Sequence, residues 1–303
     1  MVSTQYHIPV LLQTAIEGLN IDPSGVYVDL TFGGGGHSRA ILEQLGPEGR
    51  LIAFDQDKDA WENAPDDKRF VLVKHNFRYL HHFLDYMGLP TVDGVLGDLG
   101  VSSHHFDVAE RGFSFRFDGP LDMRMSAGSD LTAAVVLNRY PEEKLFSIFK
   151  MYGEINNPGR LVKAILNYRE INPFENTFDL KEVARKSAPR NEENKFLARV
   201  FQALRIEVNG EMSALQELFS RLPAVIHSGG RLVIISYHSL EDRMVKNFIR
   251  SGHYDQSQAE TDLYGNRLVP FKAVVRKAVT PSDSEVADNP RARSAKLRIA
   301  ERL

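Results

Sequence analysis

The sequence predicts an open, mostly parallel α/β sheet with an all-helical domain inserted after the fourth strand. Three observations predict it. Short apolar runs alternate with helical patterns from residue 26 to about 96. From about 131 to 204 only helical periodicity remains, and then a buried-type strand returns at 231–236 (RLVIIS).

The first strand spans 26–32 (VYVDLTF), and a helix at 38–45 places Ile41, Leu42 and Leu45 on one face. A second strand at 50–54 (RLIAF) ends at Asp55, and a helical stretch around Ala60 follows. The third strand is 70–74 (FVLVK), with a helix at 79–86 before Gly88, and the fourth is 92–96, ending near Asp98. Residues 111–125 (RGFSFRFDGPLDMRM) are turn-rich and aromatic. Beyond them Leu145, Ile148, Phe149 and Tyr152 share one helical face, and Leu161, Ala164, Ile165 and Tyr168 another. Phe196, Val200, Phe201 and Leu204 make a third stripe, and Asp179 is the expected N-cap of a helix at 180–186. A last long helix carries Leu215, Leu218, Phe219 and Leu222 and ends near Gly229 and Gly230. After 231–236 the sheet is expected to finish near 271–275 (FKAVV). The predicted division is a sheet domain of residues 1–110 and 210–303 and a helical insert of 111–209. An insert at the carboxyl edge of strand four belongs where such sheets bind ligands, so it is expected to act in substrate recognition.

Composition narrows the function classes. The chain has 303 residues, 43% of them hydrophobic, enough for one large or two modest cores. It contains no cysteine, which excludes disulfides and thiolate metal sites and fits a reducing cytoplasm. No apolar run is long enough to span a bilayer, and no basic-then-apolar leader opens the chain. A net charge of −3 means that a nucleic-acid partner must meet local basic patches. The adjacent pairs His81-His82 and His104-His105 point apart on a helix or strand, so no metal is expected.

The stretch VYVDLTFGGGGHSRAIL, 26–42, joins an apolar strand to a helix through four consecutive glycines. Each costs roughly 0.5–1 kcal/mol relative to Ala in regular structure, so such a loop points to close approach of a ligand. A P-loop is excluded, because His37-Ser38 follows where Lys and Ser or Thr are required. A dinucleotide fingerprint from Gly33 lands on Ser38 instead of its third glycine, which alone leaves that ligand open, since Ala is tolerated there and Ser is only slightly larger. The remaining ligand is S-adenosylmethionine, whose sites pair such a loop with an acid after the second strand. Asp55 supplies that acid, although a nicotinamide site places one there too. Asp98-Leu99-Gly100, at the end of strand four, discriminates: amino-group methyltransferases put a carboxylate or amide there, followed by tight backbone.

Seven segments in order, HIPVLL (7–12), DLTFGGGGHS (29–38), DLGVSS (98–103), RGFSFRFDGPLDMRM (111–125), ALRIEVNGE (203–211), GGRLVIISYHSLEDRMVK (229–246) and NPRARSAKLR (289–298), together resemble one family. It is the bacterial 16S ribosomal RNA (cytosine-N(4))-methyltransferase family, RsmH/MraW. The resemblance implies a Rossmann-like class I methyltransferase sheet with an inserted helical domain. It implies methylation of one cytidine amine in the decoding region of 16S ribosomal RNA, in the small ribosomal subunit or its late assembly intermediate. It further implies that Gly35, Gly36, His37, Asp55, Phe77 and Asp98 contact S-adenosylmethionine. The family usually has Gln where this chain has His105, whose imidazole can replace one amide hydrogen bond; Gly97, Ser126 and Ile155 are further departures.

The chemistry selects further residues. A cytosine amine is a poor nucleophile because its lone pair is delocalised into the ring. Asp98, with the Leu99 carbonyl nearby, is the candidate acceptor for that amine. In-line placement against the sulfonium methyl supplies up to about 7–11 kcal/mol. In RGFSFRF, Phe113, Phe115 and Phe117 alternate with Arg111 and Arg116, a pattern for base stacking with phosphate contact; a packed ribbon accounts for two of the three rings. Arg124 either pairs with Asp122 or reaches RNA. In SYHSLEDR, His238 and Asp242 are candidates to line the cytidine pocket and Arg243 to bind phosphate; the same residues suit a helix start at Ser239. The basic residues from Lys272 to Arg302 are a candidate RNA-backbone footprint.

Overall fold

A computed structural model describes residues 9–265 and 267–303; His7 and Ile8 of the first motif lie outside them. The chain divides into two compact units, one running to Gly100 and resuming at Met212, the other Val101–Glu211.

The first unit is built on seven strands: β1 (Val26–Asp29), β2 (Arg50–Phe54), β3 (Phe70–Val73), β4 (Val92–Asp98), β5 (Ile226–Ser236), β6 (Phe271–Ala273) and β7 (Lys296–Arg302). Their order is β3-β2-β1-β4-β5-β7-β6. The first five are parallel, and β7 is antiparallel to both β5 and β6. The central strands read as continuous apolar runs because both faces are covered; Leu51, Ile52, Ala53 and Phe54 are all buried. Helices α1 (Leu12–Leu19), α2 (Gly36–Gln44), α3 (Lys58–Trp61) and α4 (Leu80–Tyr86) accompany the first four strands. Ala15, Ile16 and Leu19 of α1 and Ile41 and Leu42 of α2 share one core with Leu51, Leu96, Val233 and Ile299. The chain runs β1-β2-β3 to one side and β4-β5 to the other, so the strand order reverses between β1 and β4. That is the point at which open sheets bind ligands.

The second unit contains α5 (Ser103–Asp107), α6 (Ala133–Arg139), α7 (Glu142–Met151), α8 (Gly159–Arg169), α9 (Thr177–Arg185) and α10 (Glu193–Asn209). The three predicted stripes meet in its core, where Leu145, Ile148, Phe149, Leu161, Ile165, Val200 and Leu204 are buried. This unit starts at Val101, before the residue 111 expected from sequence, because Val101 and Phe106 pack against its core. Returning to the sheet, α11 (Glu211–Val225) leads into β5, α12 (Ser239–Ser251) follows it, and α13 (Asp283–Asp288) precedes β7.

Three local expectations are corrected. Helix α9 starts at Thr177 with Asn176 as N-cap, while Asp179 is its N3 partner in a capping box, accepting from the Asn176 backbone at 2.9 Å. Residues 111–125 form no β-ribbon; the backbone there turns on Gly112, in the left-handed region at φ 73°. The sheet does not finish near 271–275. Strand β7 inserts between β5 and β6, with Leu297, Ile299 and Ala300 buried and its Lys and Arg residues on the other positions. The cationic residues conceal a strand pattern in what reads as a basic tail.

Candidate cofactor and catalytic site

The site is assembled from four strand ends. Asp29 closes β1 and is fully buried; its carboxylate accepts from the Ser38 hydroxyl at 2.6 Å and the Thr31 amide at 3.0 Å. Burial raises its pKa against these hydrogen bonds. The pair ties the first turn of α2 to the strand, so Ser38 stands at the fingerprint's third glycine position to donate a hydrogen bond. Sequence reasoning missed Asp29, although an acid directly before a glycine loop is a visible signal.

The glycine loop is shaped mostly by the protein itself. Gly33 and Gly35 have φ 51° and 73°, which L side chains rarely adopt. A Cβ on Gly35 would lie 2.9 Å from the Phe32 ring, and one on Gly36 only 2.1 Å from Pro9 Cγ. These two glycines therefore answer to intramolecular packing, which corrects the reading that ligand approach alone explains the run. At Gly33 the added atom would meet nothing nearer than the Thr31 carbonyl at 4.0 Å, so that side of the loop is open. Gly36→Ala is expected to destabilise the fold by about 1–3 kcal/mol, since the Pro9 ring cannot rotate away. Thermal melting reads the loss, and titration with S-adenosylhomocysteine shows weaker binding.

Asp55 follows β2 at the level of the loop. Its Oδ2 accepts from Gly33 N at 2.8 Å and its Oδ1 from Asp57 N at 2.8 Å. Burial pushes its pKa up to about 6, despite both hydrogen bonds. The next turn is coupled to it: Asn76 Nδ2 donates to Gln56 Oε1 at 2.9 Å, placing the 3-10 turn Phe77–Tyr79 beside the Asp55 loop. Phe77 is partly buried there.

Asp98 ends β4. Its backbone N–H donates to Thr31 Oγ1 at 2.7 Å, and its Oδ1 accepts from the Tyr237 hydroxyl at 2.8 Å. The buried His37 ring spans the gap to the N-terminal segment, with Nε2 3.2 Å from the Val10 carbonyl and Nδ1 3.9 Å from Asp98 Oδ2. Leu99 N donates to Ile235 O at 2.9 Å, and Gly100 at φ 98° makes the tight backbone that follows. The structure thus brings Gly35, Gly36, His37, Asp55, Phe77 and Asp98 to one edge of one sheet.

This arrangement fits S-adenosylmethionine. A ribose offers two hydroxyl donors and the sulfonium and ammonium groups are cationic, while the Asp55 carboxylate accepts from Gly33 N and the Asp98 carboxylate lies 3.9 Å from His37 Nδ1, just past the same loop. A model of the MraW methylase family matches residues 4–303. This chain belongs to that family. The ribosomal RNA small subunit methyltransferase H of Cytophaga hutchinsonii is 55% identical over 299 residues, 98% of this chain and 99% of that one. Its counterpart in Parabacteroides distasonis is 53% identical over 299 residues, 98% of each chain. In Christiangramia forsetii the figure is 51% over 303 residues, the whole of both chains. As a MraW methylase family member the chain is an enzyme, an S-adenosylmethionine-dependent methyltransferase.

Other expected site residues of this MraW methylase family member are occupied elsewhere. Phe113 is 4% exposed in the core of the inserted unit, and Phe115 packs on Phe201 with ring centroids 5.6 Å apart. Phe113 cannot stack on a base without unpacking that core, which corrects its assignment, while Phe115 is partly buried against the same core, as expected for two of the three rings. Phe117, at 47% exposed, is the ring of the three that faces outward, beside the exposed Arg116. Arg111 Nη2 donates to the Arg124 carbonyl at 3.1 Å, and Arg124 grips Asp122 in two hydrogen bonds of 2.8 and 2.7 Å. Both guanidiniums thus brace the 111–125 turn. His105 belongs to the inserted unit, 2.8 Å from Ser102 Oγ through Nδ1, with its ring 4.8 Å from Phe113.

His238 is the N-cap of α12, its Nδ1 3.4 Å from Glu241 N and its Nε2 3.2 Å from Glu241 Oε1. Asp242 accepts from Arg298 Nε at 2.7 Å and Lys296 Nζ at 3.2 Å. Burial alone would raise the Asp242 carboxyl, yet these cations hold it below its ordinary value. Their observed contacts make them a helix cap and an anchor for β7, the helix-start role that their sequence also suits. The same anchor engages Lys296 and the partly buried Arg298, and Arg302 is engaged by the carbonyls of Pro223 and Pro270 at 3.0 Å each. Lys272, Arg276, Lys277, Arg291 and Arg293 are exposed, as is Arg243.

Proposed function

We propose that this chain methylates N4 of a cytidine in the decoding region of 16S ribosomal RNA, with S-adenosylmethionine as donor. One observation carries the reading: in a chain matched over residues 4–303 by the MraW methylase family, a carboxylate, Asp98, stands at the ligand edge of β4, 3.9 Å from His37 at the end of the glycine loop. S-adenosylmethionine supplies an electrophilic methyl on sulfur. Gly35, Gly36, His37 and Phe77 hold it, and Asp55 accepts from the ribose hydroxyls. Asp98 accepts a hydrogen bond from the exocyclic amine, which favours a more pyramidal nitrogen with its lone pair available. The proton leaves after methylation, when the nitrogen has become acidic, so no strong base is required. The base enters flipped out or already unpaired, because N4 cannot be reached within a stacked duplex.

The inserted unit recognises the RNA. Phe117 and Arg116 support this, an exposed ring beside an exposed cation, and Arg243 with the basic residues of 272–293 contacts phosphate. The substrate is the small ribosomal subunit or its late assembly intermediate, met in the cytoplasm. Among the described residues no helix is long and apolar enough to cross a membrane. The test is transfer of labelled methyl to small-subunit RNA, with nucleoside mass spectrometry of the product. N4-methylcytidine at one decoding-region position is the expected result. Label in a ring-carbon-methylated cytidine, or none in any RNA, refutes the reading.

A further inference from the structure

Tyr237 has no part in the reading above, yet the fold aims its hydroxyl at the proposed acceptor. Strands β4 and β5 run parallel with Asp98 beside Ile235, and Tyr237 lies two residues beyond Ile235, directly after the end of β5. The sheet's register therefore carries the phenol to the same edge and face as Asp98. Two contacts hold it there. Its backbone N–H donates to Glu241 Oε2 at 2.9 Å, and Glu241 is itself buried in the first turn of α12. The ring lies over Gly100, where an added Cβ would be 3.5 Å from Tyr237 Cδ2. The hydroxyl then donates to Asp98 Oδ1 at 2.8 Å.

We propose that Tyr237 is a positioning residue for methyl transfer: its hydroxyl fixes the orientation of the Asp98 carboxylate and favours its ionised form. Burial and the adjacent Asp98 charge keep the phenol protonated, so it donates throughout the working pH range. A carboxylate at a strand end has two χ angles to settle. A short hydrogen bond from a rigid, anchored ring removes that freedom before substrate arrives. The capping box of α12 gains a second role, since it sets the backbone from which the ring projects.

This inference rests on the assignment of Asp98, and the experiment separates the two. Tyr237→Phe keeps the ring and deletes the donor. It is expected to lower kcat by roughly 10- to 100-fold, as for loss of a hydrogen bond to a charged group, with unchanged affinity for S-adenosylhomocysteine. The acid limb of the kcat–pH profile moves to higher pH, because a carboxylate deprived of a donor ionises less readily; the other titratable group facing Asp98, His37 with Nδ1 at 3.9 Å from Oδ2, is the same in both variants. In an Asp98→Asn background, where the partner is neutral, the same substitution costs much less than in the wild type. The inference is overturned if Tyr237→Phe leaves kcat within about twofold while Asp98→Ala is inactive. It is equally overturned if kcat falls by one factor in both backgrounds with the acid limb unmoved, which is the signature of a packing role. Full activity in Asp98→Ala would instead refute the assignment of Asp98.

Discussion

Replacing Asp98 with alanine lowers kcat by roughly 10²–10³-fold, the range for removing one preorganised hydrogen-bonding group at a reacting centre. The protein remains folded, because Asp98 is at the edge of the sheet and its backbone bond to Thr31 is retained. Loss of the carboxylate removes the proposed acceptor for N4 and leaves the Tyr237 hydroxyl without that partner. The affinity for S-adenosylhomocysteine changes far less than kcat if Asp98 acts mainly on the base. Stopped or quenched single-turnover assays with saturating cofactor read the chemical step directly. Retention of wild-type single-turnover rates with intact cofactor binding would remove Asp98 from the mechanism. Asp98→Asn provides the graded control, since an amide oxygen still accepts from the amine without the charge.

The second large effect is at Asp55. Its carboxyl is raised to about 6 by burial, and in the proposed ribose contact only the ionised form accepts from both hydroxyls. S-adenosylhomocysteine affinity is therefore flat above pH about 7 and weakens roughly tenfold for each unit below about 6. Asp55→Asn flattens this dependence, and Asp55→Ala weakens binding by roughly 100-fold through the loss of two hydrogen bonds to a charged acceptor. The sign of the stability linkage is opposite. Without cofactor, the folded protein holds this proton more tightly than the unfolded chain, where the ordinary value is 3.8. The contribution to stability is thus present below about 4 and is lost as pH rises through about 6. Cofactor relieves the ionised state, so it raises the melting temperature more at pH 7.5 than at pH 5. Calorimetric titrations across pH 5–8 with parallel melts check both signs; a pH-independent Kd in the wild type would remove Asp55 from ribose binding.

Much of the sheet and part of the site can be read locally. Strand, glycine loop and helix are consecutive in VYVDLTFGGGGHSRAIL, so their periodicities alone place Gly33–Gly36 at a strand end. Asp55 and Asp98 are legible for the same reason, each closing an apolar run. The aromatic segment was harder: an alternation of Phe and Arg has the same appearance whether its rings face a core or a base. Burial separates Phe113 and Phe115 from Phe117, and burial is a property of what packs above them. Cationic residues mislead in a similar way, because Arg298 has one meaning in a solvated tail and another opposite Asp242.

The sequence by itself determined the parallel sheet, the helical insert, the glycine loop and the two carboxylates at strand ends, because each depends on residues within a few positions of one another. Only the tertiary structure decided that Tyr237 reaches Asp98 across 139 positions, that Asp242 holds β7, and that Pro9 fills the space beside Gly36. Those pairings follow from the strand order β4-β5-β7 and from packing against α2. Neither leaves a periodic trace in the chain, since side chains brought together by strand order need no regular spacing between them.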